Sequence, residues 1–355
     1  MLQKSNYKHS LKALSVYFLL SYAFLYFAYK YFAPDIACVD FFNYYPLYKD
    51  FDVQSVGSPF NTRLLNPLFV FVFNKLGIYY NTYTSFQNPD INQSVFFNAL
   101  LVSYLAVVFT ALVIYLTCYN YFKNKLFSFF VGLFYLMGGG TLVFCINPAT
   151  DAFSVLLLAL IFKSYTEKSK WIYLLLLLAV FQREYIFMVI SLIAIIDFWF
   201  DRKNLKNYLS VVLAAVICFG IYMILRSTIL YTPAHPEQLE YSQYISRLLF
   251  PKINFSEYIR QGLFTQNILF TYLFVIMYKL AKKQTVVKKN ISIIGMLILQ
   301  INFICLIALL GNNIGRIFYM TTPIILYYLA IEVYPIYSKY QFNQGNTSLA
   351  SKNES

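Results

Sequence analysis

The chain has 355 residues, of which 59% are hydrophobic and only 12% are Asp, Glu, Lys or Arg. Its mean hydropathy of +0.58 and its long apolar runs exclude a separate soluble domain. A net charge of +13 is typical of proteins that bind nucleic acid, but in so apolar a chain it is better explained by basic residues on the cytoplasmic side of a membrane.

The apolar runs predict an all-α polytopic membrane protein with about ten transmembrane helices, because each needs about 20 apolar residues to cross a ~30 Å hydrocarbon core. The first run follows Lys4, Lys8 and Lys12. It is too long for a signal-peptide core and lacks a small-x-small cleavage site, so we predict an uncleaved span. The predicted spans cover residues 11–32, 95–119, 126–145, 152–162, 171–181, 185–200, 208–231, 267–280, 291–310 and 317–337.

We predict one integral membrane domain, residues 1–340, followed by a disordered cytoplasmic tail at 341–355 that is rich in Asn, Ser and Gln. A large first outer loop at 33–94 carries short interfacial helices, one of them at 64–76. A second outer loop covers 231–266.

Residues 171–200 form a hairpin in this prediction rather than one helix. Two apolar segments flank Gln182, Arg183 and Glu184, and basic residues stand at both ends, at Lys170 and Arg202. A single helix would put those two ends on opposite sides of the membrane. A hairpin of two short spans keeps both inside and puts Arg183 and Glu184 at its outer tip.

The resulting topology has both termini in the cytoplasm and puts all of the net charge of +13 on that side, with the outer side neutral. This asymmetry is what the positive-inside rule requires. The five cysteines indicate neither a disulfide framework nor a metal site. The chain contains no P-loop, GxGxxG, His-x-x-x-His or GxSxG motif.

The remaining charges form a sparse set at the predicted outer ends of the spans. A charge near hydrocarbon depth usually lines a functional cavity. Each also has a simpler explanation: a helix cap or first-turn acid, an arginine among lipid headgroups, or mutual neutralisation of Arg183 and Glu184. The set consists of Asp40, Arg63, Asp151, Arg183, Glu184 and Arg316.

The order of short motifs along the chain resembles the GT-C superfamily of polytopic glycosyltransferases, especially its mannosyltransferase-like members. In that family an Asp soon after the first span is followed by Gly-x-Pro-Tyr/Phe, Arg and Pro-Leu. The corresponding pieces here are Asp40-Phe-Phe-Asn-Tyr-Tyr-Pro-Leu-Tyr, Gly57-Ser58-Pro59-Phe60, Arg63, Asn66-Pro67-Leu68, Asn147-Pro148-x-x-Asp151, Arg183-Glu184, and Gly315-Arg316 with Pro323. The chain departs from the family in having a single loop acid, which leaves metal use open.

The resemblance implies transfer of a sugar, with inversion, from a polyprenyl-phosphate donor to a glycan, lipid or protein acceptor on the non-cytoplasmic face, as in a bacterial-type inner membrane. It implies Asp40 as the general base, with Asp35 as the fallback. Substrate would be bound by the other five residues of the set, Arg63, Asp151, Arg183, Glu184 and Arg316. We expect membrane lipids as partners, no nucleic acid and no cofactor; a divalent metal has no support in the sequence.

Two other classes of function remain open. A transporter or flippase of lipid-linked saccharides usually shows internal repeats and polar sites near the midplane. The chain has no clear repeat, and its charges are biased outward, which favours the enzyme. A polysaccharide polymerase or acyltransferase of the cell envelope is the third option. A polymerase is expected to have an arginine-rich outer loop late in the chain, and the 231–266 loop contains Arg247 and Arg260.

Overall fold

The computed structural model describes residues 4–31, 39–79, 90–145, 147–200, 204–230, 278, 281 and 319–352. Over these residues the chain is helical with connecting turns and has no β-strand, which confirms the all-α class for this part. The helices are α1 (Lys4–Tyr31), α2 (Val39–Asp50), α3 (Leu65–Lys75), α4 (Gln93–Phe122), α5 (Lys125–Leu136), α6 (Gly139–Cys145), α7 (Asp151–Thr166), α8 (Trp171–Ala179), α9 (Tyr185–Phe200), α10 (Leu205–Ile224) and α11 (Thr322–Lys352).

The central element of the bundle is α4, which packs against α1, α5 and α7 and also touches α11. Most of its residues are buried, as expected for a helix that is apolar on all sides. Its start is capped by Asn92, whose side chain accepts a hydrogen bond from the Ser94 N–H. It ends at Lys123, which adopts a left-handed conformation with φ 56°.

Within the described part of the chain, three helices are long and apolar enough to cross a membrane: Lys8–Tyr31, Gln93–Phe122 and Leu205–Thr228. The last of these includes a π-helical turn at Leu225–Ile229 after α10. Along α10, Leu209, Leu213, Val216 and Ile217 share one face and are each more than half exposed. Such a continuous apolar face suits contact with lipid, so the protein associates with a membrane.

Two predicted elements differ from the observed helices. The span predicted at 126–145 is two helices, α5 and α6, which separate at Met137 and Gly138; the glycines at 138–140 supply the flexible backbone. The last helix, α11, continues to Lys352 with Pro335 inside it, and so includes most of the tail for which the composition predicts disorder. The predicted interfacial helix at 64–76 corresponds to α3. The spans predicted at 267–280 and 291–310 lie outside the described residues, apart from residue 278.

Helices α8 and α9 turn back on each other. Tyr173, in the first turn of α8, and Asp197, near the end of α9, line the same cavity. One straight helix would hold them about 36 Å apart, at 1.5 Å per residue. The Tyr165 hydroxyl, near the end of α7, also donates to Asp197 Oδ2 at 2.6 Å. The ends of α7 and α9 therefore meet, and the turn at Gln182, Arg183 and Glu184 lies at the other end of the hairpin.

Candidate functional site

The segment that leads into α3 docks on the turn of the α8–α9 hairpin through its backbone. A short 3₁₀ turn at Phe60–Thr62 leads into α3. The N–H groups of Leu64 and Leu65 both donate to the Phe181 carbonyl, at 2.9 and 3.1 Å. The Asn66 N–H donates to Gln182 Oε1 at 3.3 Å. The hairpin turn thus satisfies backbone donors at the start of α3 that have no partner within the helix.

Gln182 joins this contact to the start of α7. Its side chain is fully buried. Its Nε2 donates to the Thr150 carbonyl at 3.0 Å and to Ser154 Oγ at 2.9 Å, while its Oε1 accepts from Asn66. One side chain therefore connects three segments that are far apart in sequence.

Two ion pairs lie beside Gln182, and each joins the hairpin turn to a different segment. Arg183 Nη2 lies 2.6 Å from Asp151 Oδ1, and both side chains are buried. Arg63 Nη2 lies 3.8 Å from Glu184 Oε1, with 32% of the Glu184 side chain exposed. The Asp151 carboxylate stands in the first turn of α7, where the helix dipole also favours a negative charge.

Hydroxyl groups link the two ion pairs. Arg63 Nη1 donates to the Tyr44 hydroxyl at 3.1 Å, which lies 3.2 Å from Thr150 Oγ1. Arg183 Nη2 donates to the same Thr150 oxygen at 3.4 Å. The charged groups therefore form one connected network, which we call the arginine–carboxylate network: Tyr44, Arg63, Thr150, Asp151, Gln182, Arg183 and Glu184.

Two residues of the 205–228 segment complete the surroundings of Glu184. The Tyr222 hydroxyl donates to Glu184 Oε2 at 3.1 Å. Arg226 donates through Nε to Ser58 Oγ at 3.2 Å. Burial would raise the pKa of the Glu184 carboxyl, but the positive charges of Arg63, Arg183 and Arg226 outweigh it and hold the pKa below its usual value. Glu184 is therefore ionised at neutral pH and suited to hold cations rather than to exchange a proton.

The network retains unused hydrogen-bond donors. The Nε atoms of Arg63 and Arg183 are buried and have no hydrogen-bond partner, and neither do the side-chain amide atoms of the buried Asn66. Buried polar groups in proteins are rarely left unsatisfied without a ligand, water or functional reason. Two arginines that retain unused N–H donors are expected in a binding site for an anion such as a phosphate.

Four of the six predicted site residues, Arg63, Asp151, Arg183 and Glu184, belong to this network. Asp40 lies in the first turn of α2 and is partly buried. It precedes Tyr44 by four residues, so the two side chains lie on one face of α2, about 6 Å apart along its axis. Arg316 and the fallback Asp35 lie outside the described residues.

Sequence reasoning missed three neutral members of the network, Tyr44, Thr150 and Gln182, and the nearby Arg226. The signal for Tyr44 was its spacing of one helical turn from Asp40. The signal for Arg226 was an arginine near the outer end of a predicted span. Over the described residues, no group of three or more His, Cys, Asp or Glu side chains is arranged to hold a metal ion.

A cavity of about 610 Å³ lies at the other end of α7, and none of the network residues lines it.

Comparison of the chain with protein-family models, with curated proteins and with solved structures gave no match.

Proposed function

We propose that the protein is a membrane glycosyltransferase that moves a sugar from a polyprenyl-phosphate donor to an acceptor hydroxyl on the non-cytoplasmic face, with inversion. The observation that carries the proposal is the arginine–carboxylate network. It unites Arg63, Asp151, Arg183 and Glu184 from three segments of the chain and leaves buried guanidinium N–H groups unused. The GT-C resemblance independently selects the same four residues.

The proposed topology has ten spans with both termini in the cytoplasm. The network lies at the start of α7, and Lys168 and Lys170 follow its end. Helix α7 has 16 residues, or about 24 Å, which is close to the ~30 Å thickness of a hydrocarbon core. The network would therefore lie at the membrane boundary opposite the lysines, where a donor anchored by its polyprenyl chain presents its phosphate.

In this proposal Arg63 and Arg183 bind the donor phosphate, since planar guanidinium groups match phosphate oxygens. Asp151 and Glu184 hold the two guanidinium groups in place. Arg316 is proposed as a further phosphate ligand, on the strength of the family resemblance alone.

The reaction needs one base and one stabilised leaving group. The acceptor oxygen forms a bond to the anomeric carbon while the Asp40 carboxylate takes its proton. The bond from the anomeric carbon to the phosphate oxygen breaks, and its electron pair leaves with the polyprenyl phosphate. Attack from the face opposite the leaving group inverts the configuration. The arginines stabilise the negative charge that develops on the phosphate.

The test uses the purified protein, a polyprenyl-phosphate hexose and an assay for released polyprenyl phosphate. Asp40→Asn should lower the transfer rate by about 10²–10⁴-fold, because it removes the base, and should leave donor binding unchanged. Arg63→Ala should instead weaken donor binding by about 10–100-fold, the loss expected for a hydrogen bond to a charged group.

Two variants serve as matched controls. Asp50→Asn removes an exposed acid from the other end of the same helix as Asp40, and Lys75→Ala removes an exposed cation from α3; both should leave transfer unchanged. Near wild-type transfer by Asp40→Asn would move the role of base to Asp35 or Asp151. If the wild type uses no polyprenyl-phosphate sugar as donor, the transferase proposal fails and saccharide transport becomes the better hypothesis.

A further inference from the structure

The cavity of about 610 Å³ at the end of α7 is formed where α7, α8, α9, α10 and α11 meet. Its volume falls within the ~300–1,000 Å³ typical of small-molecule sites. About 24 Å of helix, the length of α7 at 1.5 Å per residue, separates it from the arginine–carboxylate network. No step of the proposed transfer reaction uses it.

The lining of the cavity combines cations with hydrogen-bonding groups. Lys168 and Lys170, in the connection between α7 and α8, are exposed and line it. Further in, Asp197 accepts a hydrogen bond from Tyr165 at 2.6 Å, and Asn204 also contributes to the lining. A carboxylate only accepts hydrogen bonds, so Asp197 favours hydroxyl groups, whereas the lysines favour an anion. The lining therefore suits a ligand that carries both.

A lipid headgroup could enter the cavity from the membrane beside α8 and α10. The Tyr173 and Ser210 hydroxyls, 3.0 Å apart, bridge α8 and α10 at the cavity. Beside this bridge, Trp171, Leu209 and Leu213 are 66%, 60% and 57% exposed. A headgroup could occupy the cavity while its acyl chains lie along these apolar faces.

We propose that this cavity binds a phosphate ester of a polyol, with the phosphate on Lys168 and Lys170 and the hydroxyls on Asp197 and Asn204. This chemistry is shared by a hydroxylated anionic phospholipid headgroup and by a soluble polyol phosphate. The site is independent of the proposed transferase reaction.

The test is a binding measurement on the full-length protein in neutral detergent, by native mass spectrometry and by thermal stability. Three lipids with identical dioleoyl chains are compared: phosphatidylglycerol, phosphatidic acid and phosphatidylcholine. Glycerol 3-phosphate is the soluble arm. We expect saturable binding of one phosphatidylglycerol, weaker binding of phosphatidic acid, which lacks the polyol, and no saturable binding of phosphatidylcholine. Competition by glycerol 3-phosphate at comparable concentration would identify the soluble ester as the ligand; failure to compete would identify the lipid.

Variants link the binding to this cavity. Lys168→Ala together with Lys170→Ala should weaken phosphatidylglycerol binding about five- to tenfold, a value within the range for two exposed charge contacts, and should reduce its dependence on salt. Lys123→Ala with Lys125→Ala removes the same charge from another connection and should leave binding unchanged. Asp197→Ala should abolish the preference for phosphatidylglycerol over phosphatidic acid. Equal binding of phosphatidylglycerol and phosphatidylcholine, or equal losses in the two double-lysine variants, would overturn the proposal.

Discussion

At the scale of single residues, the buried pair of Arg183 and Asp151 is the most consequential contact. Taking two charges out of water costs several kcal/mol for each ion, and their attraction offsets this only when the geometry is good. The pair meets that condition with a 2.6 Å contact and with the Thr150 hydroxyl as a further acceptor for Arg183. Each partner therefore depends on the other.

A double-mutant cycle tests this dependence. Arg183→Met alone should lower the free energy of unfolding by about 3–5 kcal/mol, because it leaves the Asp151 charge buried and unpaired. Adding Asp151→Leu should recover much of that loss. The measurement is reversible unfolding in mixed micelles.

The pair of Lys163 and Glu167, which is 2.7 Å apart and partly exposed to solvent, provides the matched control. It should show a coupling of only about 0.3–0.5 kcal/mol, the range for exposed helix pairs four residues apart. A coupling between Arg183 and Asp151 as small as in this control would contradict their interdependence.

The residue scale also shows what the sequence can and cannot predict. The sequence was sufficient to select Arg63, Asp151, Arg183 and Glu184. Placing a charged side chain in an apolar environment costs free energy, so each such charge is expected to have a function. The partners were not predictable. Arg183 and Glu184 are adjacent in sequence, yet Arg183 forms its ion pair with Asp151 and Glu184 with Arg63. Neutral groups such as Tyr44 and Gln182 carry no such cost, so their roles emerge only when distant segments meet.

At the scale of elements, apolar runs predicted α1, α4 and α10 well because nothing within those runs interrupts the helix. The prediction from apolar runs was wrong at 126–145, where one apolar run forms two helices that separate at Met137 and Gly138. The hairpin of α8 and α9 was predictable for another reason. Its evidence was the placement of basic residues at both ends, which depends on the membrane and not on local helix propensity.

The close packing of α5 on its neighbours gives a prediction at this scale. A Cβ added at Gly132 would lie 2.8 Å from the Ala111 carbonyl oxygen of α4 and would also collide with the Tyr17 hydroxyl of α1. That hydroxyl is held by a 2.8 Å hydrogen bond to the Phe129 carbonyl. Gly132→Ala should therefore destabilise the protein by about 1–3 kcal/mol through overpacking.

Gly220→Ala is the matched control in α10, where an added Cβ meets nothing within 4 Å. It should be neutral, or stabilising by up to about 1 kcal/mol, because alanine is the better helix former. Thermal unfolding of both variants measures the contrast. Equal effects would mean that α1, α4 and α5 do not pack as closely as described.

At the scale of the whole molecule, two groups of charged and polar residues lie at opposite ends of one helix bundle. The arginine–carboxylate network lies at one end of α7, and the cavity with Lys168 and Lys170 lies at the other. The sequence predicted this separation from charge alone, since arginines and acids cluster at one set of predicted ends and lysines at the other. Which end faces the cytoplasm follows only from the positive-inside rule, and that is the step that a topology experiment tests.

Cysteine labelling in intact cells provides that experiment, on a background in which the five native cysteines are replaced. Gln54→Cys lies at an exposed position between α2 and α3, close in sequence to Ser58 and Arg63, and should react with a membrane-impermeant thiol reagent added outside. Ser169→Cys, a nearly isosteric change in the connection between α7 and α8, should react only after the membrane is permeabilised, because the adjacent Lys168 and Lys170 hold that connection in the cytoplasm. Labelling of both positions from outside would put the two ends of α7 on the same side of the membrane. It would remove the basis for the ten-span topology and, with it, for a transfer site that faces away from the cytoplasm.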